Sequence, residues 1–170
     1  MDFLRAFYGK IISTGNSMQS FLLLLMRLYW GYSFFQAGWG KINQMQPVIT
    51  YFGSSGIPFP EYMAPFVAWV ECIGGLCLLF GFASRLVAIP LAINMIVAMF
   101  TAHQKETFAV INAAFGMINH FPKFMDKMPA FIKLLPFNYL LTSLVVLCFG
   151  PGGISVDFIF KKIFSEKRGR

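Results

Sequence analysis

Charged residues are scarce in this sequence of 170 residues. Asp, Glu, Lys and Arg together make up 12% of the chain, whereas apolar residues make up 57%. Soluble domains carry about 25% charged residues, so this composition excludes an ordinary soluble domain and favours a polytopic membrane protein. The stretches between the apolar runs are too short for a separate soluble domain of usual size. We therefore predict a single membrane domain over residues 1–170.

Cysteine is scarce too, and the common catalytic motifs are absent. The three cysteines are Cys72, Cys77 and Cys148. Cys72 and Cys77 lie about 140° apart around a helix, so they cannot bridge within one span, and we expect three buried free thiols. The sequence contains no phosphate-binding loop, nucleophile elbow or zinc-ligand spacing. These motifs therefore identify no reaction for this chain.

Four apolar runs are long enough to cross a hydrocarbon core of about 30 Å. They are Met18–Lys41, Glu61–Phe80, Ser84–Ala102 and Phe131–Gly150. These runs predict an all-α membrane protein, a four-transmembrane-helix bundle with short interfacial helices. The turn between the second and third runs is only a few residues long, which predicts a tight antiparallel hairpin.

Three further segments carry helix-like apolar patterns that are too short to span. Met1–Ile12 lacks the long apolar centre of a signal peptide and predicts a surface helix. Lys105–Lys133 predicts one or two short helices, either a lid over an opening beside His103 and His120 or a surface anchor. The segment after Gly150–Gly153 predicts a second surface helix. The first loop, around Gly53–Pro60, is rich in turn-forming residues.

Much of the net charge of +7 lies close to the C-terminal end of the last apolar run. Basic residues gather just after the last apolar run, at Lys161, Lys162, Lys167, Arg168 and Arg170. Basic residues of this kind mark the cytoplasmic side of membrane proteins. We therefore predict that both termini are cytoplasmic, that the partner of these charges is the lipid bilayer, and that the chain binds no nucleic acid.

One face of the first span mixes charged and small residues. Arg27, Gly31, Phe34, Gly38 and Lys41 recur at helical spacing. Glycines on a helix face let another backbone approach closely, so this face is predicted to pack against protein rather than lipid. In the second span, Glu71 shares its face with Gly74, Gly75 and Leu78, which is the same mixture.

The depths of these charges suggest a buried polar layer. Arg27 lies about nine residues after the start of the first run and Glu71 about nine before the end of the second, so both lie about 13 Å from the same membrane face. Asn94 lies at a similar depth in the third run, and Thr142 and Ser143 in the fourth. We predict an Arg27–Glu71 ion pair at the centre of this layer. Either the pair only fixes how the helices pack, or it forms part of a ligand or proton-relay site with Asn94, Lys41 and His103.

Met95, Met99 and His103 follow one another on one face of the third span. Thioether and imidazole groups can bind copper, so these three residues are the weak candidates for a metal site. Packing methionines and an interfacial histidine explain the same pattern, and we expect no metal.

The sequence resembles the DoxX family of small four-helix bacterial membrane proteins. The matching segments are Arg27…Gly31…Ala37-Gly38…Lys41, then Gly56-Ile57-Pro58-Phe59-Pro60, then Glu71-Cys72-Ile73-Gly74-Gly75-Leu76…Gly81 with Arg85, and finally Gly150-Pro151-Gly152-Gly153-Ile154-Ser155-Val156-Asp157. The third loop is longer than the family's usual connection.

The resemblance implies an inner-membrane protein associated with redox metabolism. Relatives include the membrane subunit of a thiosulfate:quinone oxidoreductase and the membrane partner of a superoxide dismutase and a sulfurtransferase. Two functions stay open. One is a redox subunit that holds a quinone against Arg27, Glu71 and Asn94. The other is a non-catalytic scaffold, which docks soluble redox or detoxification proteins or forms a homo-oligomer. A cavity that reaches the polar layer favours the first function, and a solid core favours the second.

Overall fold

A computed structural model describes the backbone of residues 2–168. Within that range it describes every side chain except those of residues 2–6, 8–9, 11–14, 16–17, 117–120, 123 and 164–168. The described chain is entirely helical, as predicted, with eight α-helices and no strand. They are α1 (Asp2–Asn43), α2 (Met45–Ser54), α3 (Pro60–Phe80), α4 (Ser84–Thr101), α5 (Gln104–Phe115), α6 (Met117–Ile132), α7 (Leu135–Phe149) and α8 (Val156–Arg168).

Two helices of the described chain, α3 and α4, are both long and apolar enough to cross a bilayer. A third span is present if the second half of α6, Phe124–Ile132, is counted with α7 as one span bent by 83°. In α1, Arg27 and several polar residues dilute the apolar run. The four-span bundle therefore stays a prediction, while the helical membrane architecture is confirmed.

The first helix is much longer than predicted. The sequence suggested a separate surface helix over Met1–Ile12, but α1 is continuous over 42 residues. At 1.5 Å per residue it extends about 63 Å, roughly twice the thickness of a hydrocarbon core. The start of the apolar run at Met18 therefore does not mark the start of the helix.

The centre of the bundle is α3, which packs against α1, α2 and α4, while α7 packs against α4 and touches α1. Helices α1 and α3 approach closely because glycines line their interface, as predicted. A Cβ atom on Gly31 would lie 2.8 Å from the backbone nitrogen of Leu79. This contact excludes any larger residue at position 31 without separating the helices.

An apolar cluster fills the space between α1, α3, α4 and α7. Its fully packed members are Phe34, Leu78, Leu91, Met95 and Val146. The ring of Tyr139 stacks on Phe34 at 4.2 Å between centroids and joins α7 to α1. Thr142 and Ser143 are buried beside this cluster.

The third loop folds as two short helices, α5 and α6, which confirms that prediction. Thr107 is buried and its hydroxyl donates to the carbonyl of Met99, which ties α5 to the end of α4. Helix α7 begins at Leu135 rather than at Phe131, where the fourth apolar run begins. Pro136 in the first turn of α7 explains this start, because a proline is tolerated there and disrupts a helix interior.

Candidate functional site

Glu71 lies at the centre of a buried polar cluster. Its carboxylate is 2% exposed, and each of its oxygens accepts one hydrogen bond. Lys41 Nζ donates to Oε2 and forms a salt bridge. Asn94 Nδ2 donates to Oε1 at 2.7 Å. The cluster joins α1, α3 and α4, and three of the residues singled out from sequence meet in it.

The close packing of α1 against α3 brings Lys41 to Glu71. Gly38, one turn before Lys41, is buried against the backbone of Ala68 and Cys72. A side chain at position 38 would push α1 away from α3 and separate the ammonium from the carboxylate. The glycine pattern on α1 and the salt bridge are therefore parts of one arrangement.

A cavity of about 850 Å³ adjoins this cluster. It lies over α3, between α1 and α2 on one side and α4 on the other. Its walls are Gln36, Ala37, Gly40, Lys41, Gln44, Pro47, Val48, Tyr51, Phe52, Ile57, Met63, Phe66, Val67, Val70, Glu71, Pro90, Ile93, Asn94, Val97, Ala98, Thr101 and Ala102. Among these lining residues only Lys41 and Glu71 carry charge. The cavity is thus an apolar space with one polar patch on its wall.

Several apolar side chains at the cavity are exposed to the surroundings of the protein. Phe66 is 62% exposed, and Ile93 and Val97 are also exposed. Phe66 lies on α3, and Ile93 and Val97 lie on α4, the two helices that are long and apolar enough to cross a bilayer.

Helix α2 forms one wall of the cavity and is not among the predicted helices. The predicted turns follow it, with left-handed backbone at Gly56 and Phe59. The spacing of Val48, Tyr51 and Phe52 is that of one helix face and was the available signal. Phe52 is buried and holds α2 against α3.

The predicted Arg27–Glu71 ion pair is wrong. Arg27 is buried, with 1% exposure, but its Nη2 donates to the carbonyl of Ile154 at 2.5 Å. Among the described residues, its Nε and Nη1 atoms have no hydrogen-bond partner. Its Nη1 lies against Gly81 at the end of α3. It occupies the space that a Cβ atom at position 81 would need.

The error came from the choice of membrane boundary. A depth counted from Met18 places Arg27 too far inside the bundle, because α1 begins at Asp2 and Arg27 lies beside Gly81 at the end of α3. Because α1 and α3 are antiparallel and Gly31 lies opposite Leu79, Arg27 meets the last residues of α3. Lys41, about four turns further along the same face, meets Glu71 instead.

The segment Gly150–Asp157 closes the Arg27 end of the bundle. Asp157 accepts hydrogen bonds from the backbone N–H groups of Ala83 (2.7 Å) and Ser84 (2.9 Å), which cap α4. Its own N–H donates to the carbonyl of Gly81 at 2.9 Å. The Asp157 charge also attracts Arg27 through space. These contacts enclose Arg27 and place the start of α8 beside the α3–α4 turn.

The other predicted site residues lie elsewhere. Thr142 and Ser143 donate to carbonyls of their own helix, Asn138 and Tyr139, and so are not partners of Glu71. His103 is the N-cap residue just before α5 and does not line the cavity. The side chain of His120 lies outside the described residues.

The weak metal candidates are not brought together around an open site. Met95 belongs to the apolar cluster, and Met99 is buried above it. In the part of the chain that the structure describes, no three His, Cys, Asp or Glu side chains are grouped for metal binding. Cys148, which we expected to be buried, is exposed on α7.

Comparison with known proteins gives one family. The family model described as DoxX matches residues 22–104. In Bacillus subtilis, "Putative oxidoreductase CatD" is 39% identical over 85 residues, which is 50% of this chain and 62% of that protein, less than two thirds of its length. No solved structure matches the chain.

Two further relatives align over most of their length. "Inner membrane protein YqjF" of Escherichia coli is 30% identical over 142 residues, which is 82% of this chain and 92% of that protein. An uncharacterized protein of Haemophilus influenzae is 25% identical over 154 residues, which is 85% of this chain and 87% of that protein.

Proposed function

This chain belongs to the DoxX family, and we propose that it is an inner-membrane redox subunit that binds a quinone beside Lys41, Glu71 and Asn94. The observation that carries the proposal is the cavity of about 850 Å³ that reaches this buried polar cluster. Ligand cavities typically measure about 300–1,000 Å³ and combine an apolar lining with a few polar groups.

The residues of the cavity fit the chemistry of a quinone. A quinone has a flat ring, two carbonyl oxygens that accept hydrogen bonds, and an apolar tail. Lys41 has three N–H donors, of which Glu71 takes one, so the ammonium can also donate to a ring carbonyl. The apolar walls from α2, α3 and α4 suit the ring and tail, and the tail would extend past Phe66 and Ile93 into the bilayer.

The names of the relatives support this proposal in part. One relative is named as an oxidoreductase and another as an inner membrane protein. We propose the bacterial inner membrane as the location, with both termini cytoplasmic. Reporter fusions at the C-terminus test this: a cytoplasmic reporter should be active, and an active periplasmic reporter would reverse the topology.

The alternative function is a membrane scaffold without a ligand. The surface of α8 favours docking, since Lys161 and Lys162 are exposed next to the exposed apolar residues Phe158, Ile159 and Ile163. A scaffold does not require the cavity, however, and the redox subunit does.

Quinone binding can be tested directly. The protein is purified from native-like membranes, its lipid extract is analysed for quinone by mass spectrometry, and a short-chain quinone is titrated while thermal unfolding is followed. We expect co-purified quinone, and a stabilisation that increases with quinone concentration. Asn94→Leu should weaken both signals, whereas Asn138→Leu, on α7 outside the cavity, should not. Absence of quinone in the extract and of any stabilisation would favour the scaffold.

A further inference from the structure

The polar patch of the cavity is electrically neutral as a whole. Lys41 and Glu71 are the two charged residues among the described lining residues, and they are in direct contact. Asn94 holds the second carboxylate oxygen, so the negative charge is kept in place against the ammonium. Gln36, Gln44 and Thr101 add polarity without charge.

A membrane offers many competitors for such a cavity. Fatty acids and anionic phospholipids have long apolar chains that would fit the same walls, and their head groups carry a net negative charge. An isolated lysine in an apolar cavity would bind these anionic heads strongly, because charge attraction increases where water is excluded. The open side near Phe66 and Ile93 gives such chains direct access.

We propose that Glu71 determines the charge selectivity of this cavity. Its carboxylate neutralises Lys41, so an anionic head that approaches the ammonium meets a fixed negative charge beside it. An uncharged head with an acceptor oxygen still receives a hydrogen bond from Lys41 and meets no net charge. The cavity therefore selects neutral, acceptor-bearing amphiphiles and excludes fatty acids and anionic lipids. This inference uses the site of the proposed function but does not require that the natural ligand be a quinone.

Substitutions of the two charged residues should invert this selectivity in opposite directions. Glu71→Gln keeps the shape of the side chain and leaves a net positive cavity, so the affinity for a long-chain fatty acid should rise about tenfold or more. Lys41→Met leaves a net negative cavity, so it should bind a long-chain amine instead. The double variant should show neither the higher affinity for the fatty acid nor the higher affinity for the amine.

The experiment titrates purified protein in nanodiscs of neutral lipid with oleate, oleylamine and a short-chain quinone, each measured by displacement of a fluorescent fatty-chain probe. Glu61→Gln and Lys133→Met are the controls, because both residues are exposed and lie outside the cavity. Circular dichroism selects the variants that are folded. A loss of stability alone would not change the ranking of the three ligands, whereas a change in selectivity would.

Unchanged fatty-acid affinity in folded Glu71→Gln would overturn the proposal. If that variant does not fold, unchanged amine affinity in Lys41→Met would overturn it equally. The proposed function fails separately, if the wild-type protein binds no quinone while the fatty-acid and amine results follow the expected pattern.

Discussion

Arg27 and Lys41 occupy the same face of α1, about four turns apart, but their surroundings differ completely. Arg27 is enclosed by Gly81 and the segment Gly150–Asp157, and its hydrogen-bond acceptor is a backbone carbonyl. Lys41 is paired with a carboxylate and lies at the wall of a large cavity. Both are cations on an interface between helices, yet only Lys41 lies beside a cavity.

The difference comes from what covers each end of α3. At the Arg27 end, Asp157 caps α4 and draws the C-terminal segment over the helix ends. At the Lys41 end, α2 folds to one side and leaves a space between α1 and α4. A buried charge in a membrane helix is therefore a candidate ligand site only where the helix packing leaves a cavity beside it.

Gly81→Ala should have the largest effect on the Arg27 end. Gly81 has φ +71, and an added Cβ would overlap the Arg27 guanidinium and lie 2.6 Å from Cβ of Ser155. We expect a loss of about 2–4 kcal/mol in the free energy of unfolding, measured by thermal unfolding in detergent. Gly15→Ala, at a position with open space, is the control. If the two variants melt alike, the enclosed arrangement of Arg27 is wrong.

Glu71→Gln should have the next largest effect, at the cavity end. It leaves Lys41 without its carboxylate, and removal of one partner of a fully buried pair costs about 3–5 kcal/mol. The Lys41 side chain is 29% exposed, so we expect a smaller loss, about 2 kcal/mol. The double variant Lys41→Met/Glu71→Gln should recover part of it in a double-mutant cycle. Additive losses would mean that the two charges do not interact.

Protease protection should distinguish the two candidate covers of the cavity. Because α2 lines the cavity and the described residues of α5 and α6 do not, a bound quinone should protect the loop after α2, near Gly56. At ten times its Kd, the ligand should slow cleavage there by up to about tenfold. Cleavage between Lys105 and Lys133 should be unchanged. Slower cleavage between Lys105 and Lys133, with unchanged cleavage near Gly56, would support the predicted lid formed by α5 and α6.

Arg27→Met should have the smallest effect. Two of the guanidinium nitrogens have no hydrogen-bond partner in the described part of the chain, so the loss of the charge removes a desolvation cost together with the bond to Ile154. We expect the free energy of unfolding to change by less than about 1 kcal/mol. Arg27→Ala should melt at a lower temperature, because it also leaves an empty volume. A loss as large as that of Gly81→Ala would show that the Arg27 charge itself holds this end together.

Local patterns in the sequence predicted which faces of the helices are buried. Gly31, Phe34 and Gly38 do pack against protein, as their spacing on α1 indicated, and Glu71 and Asn94 do meet. The short helices of the third loop and of the C-terminus also form where apolar residues recur at helical spacing. Periodicity is a property of a few turns, so the sequence alone carries it.

The tertiary structure decided which charges pair and where the space lies. The partner of Glu71 depends on the register of α1 against α3, and that register is set by the contacts of Gly31 and Gly38 with the α3 backbone. The apolar run beginning at Met18 gave no sign that α1 begins as early as Asp2. The sequence by itself determined that this chain is a helical membrane protein with buried ionic residues. Only the packing of whole helices determined that Lys41 reaches Glu71 beside a cavity while Arg27 is enclosed, because one turn of sliding changes every contact across a helix interface.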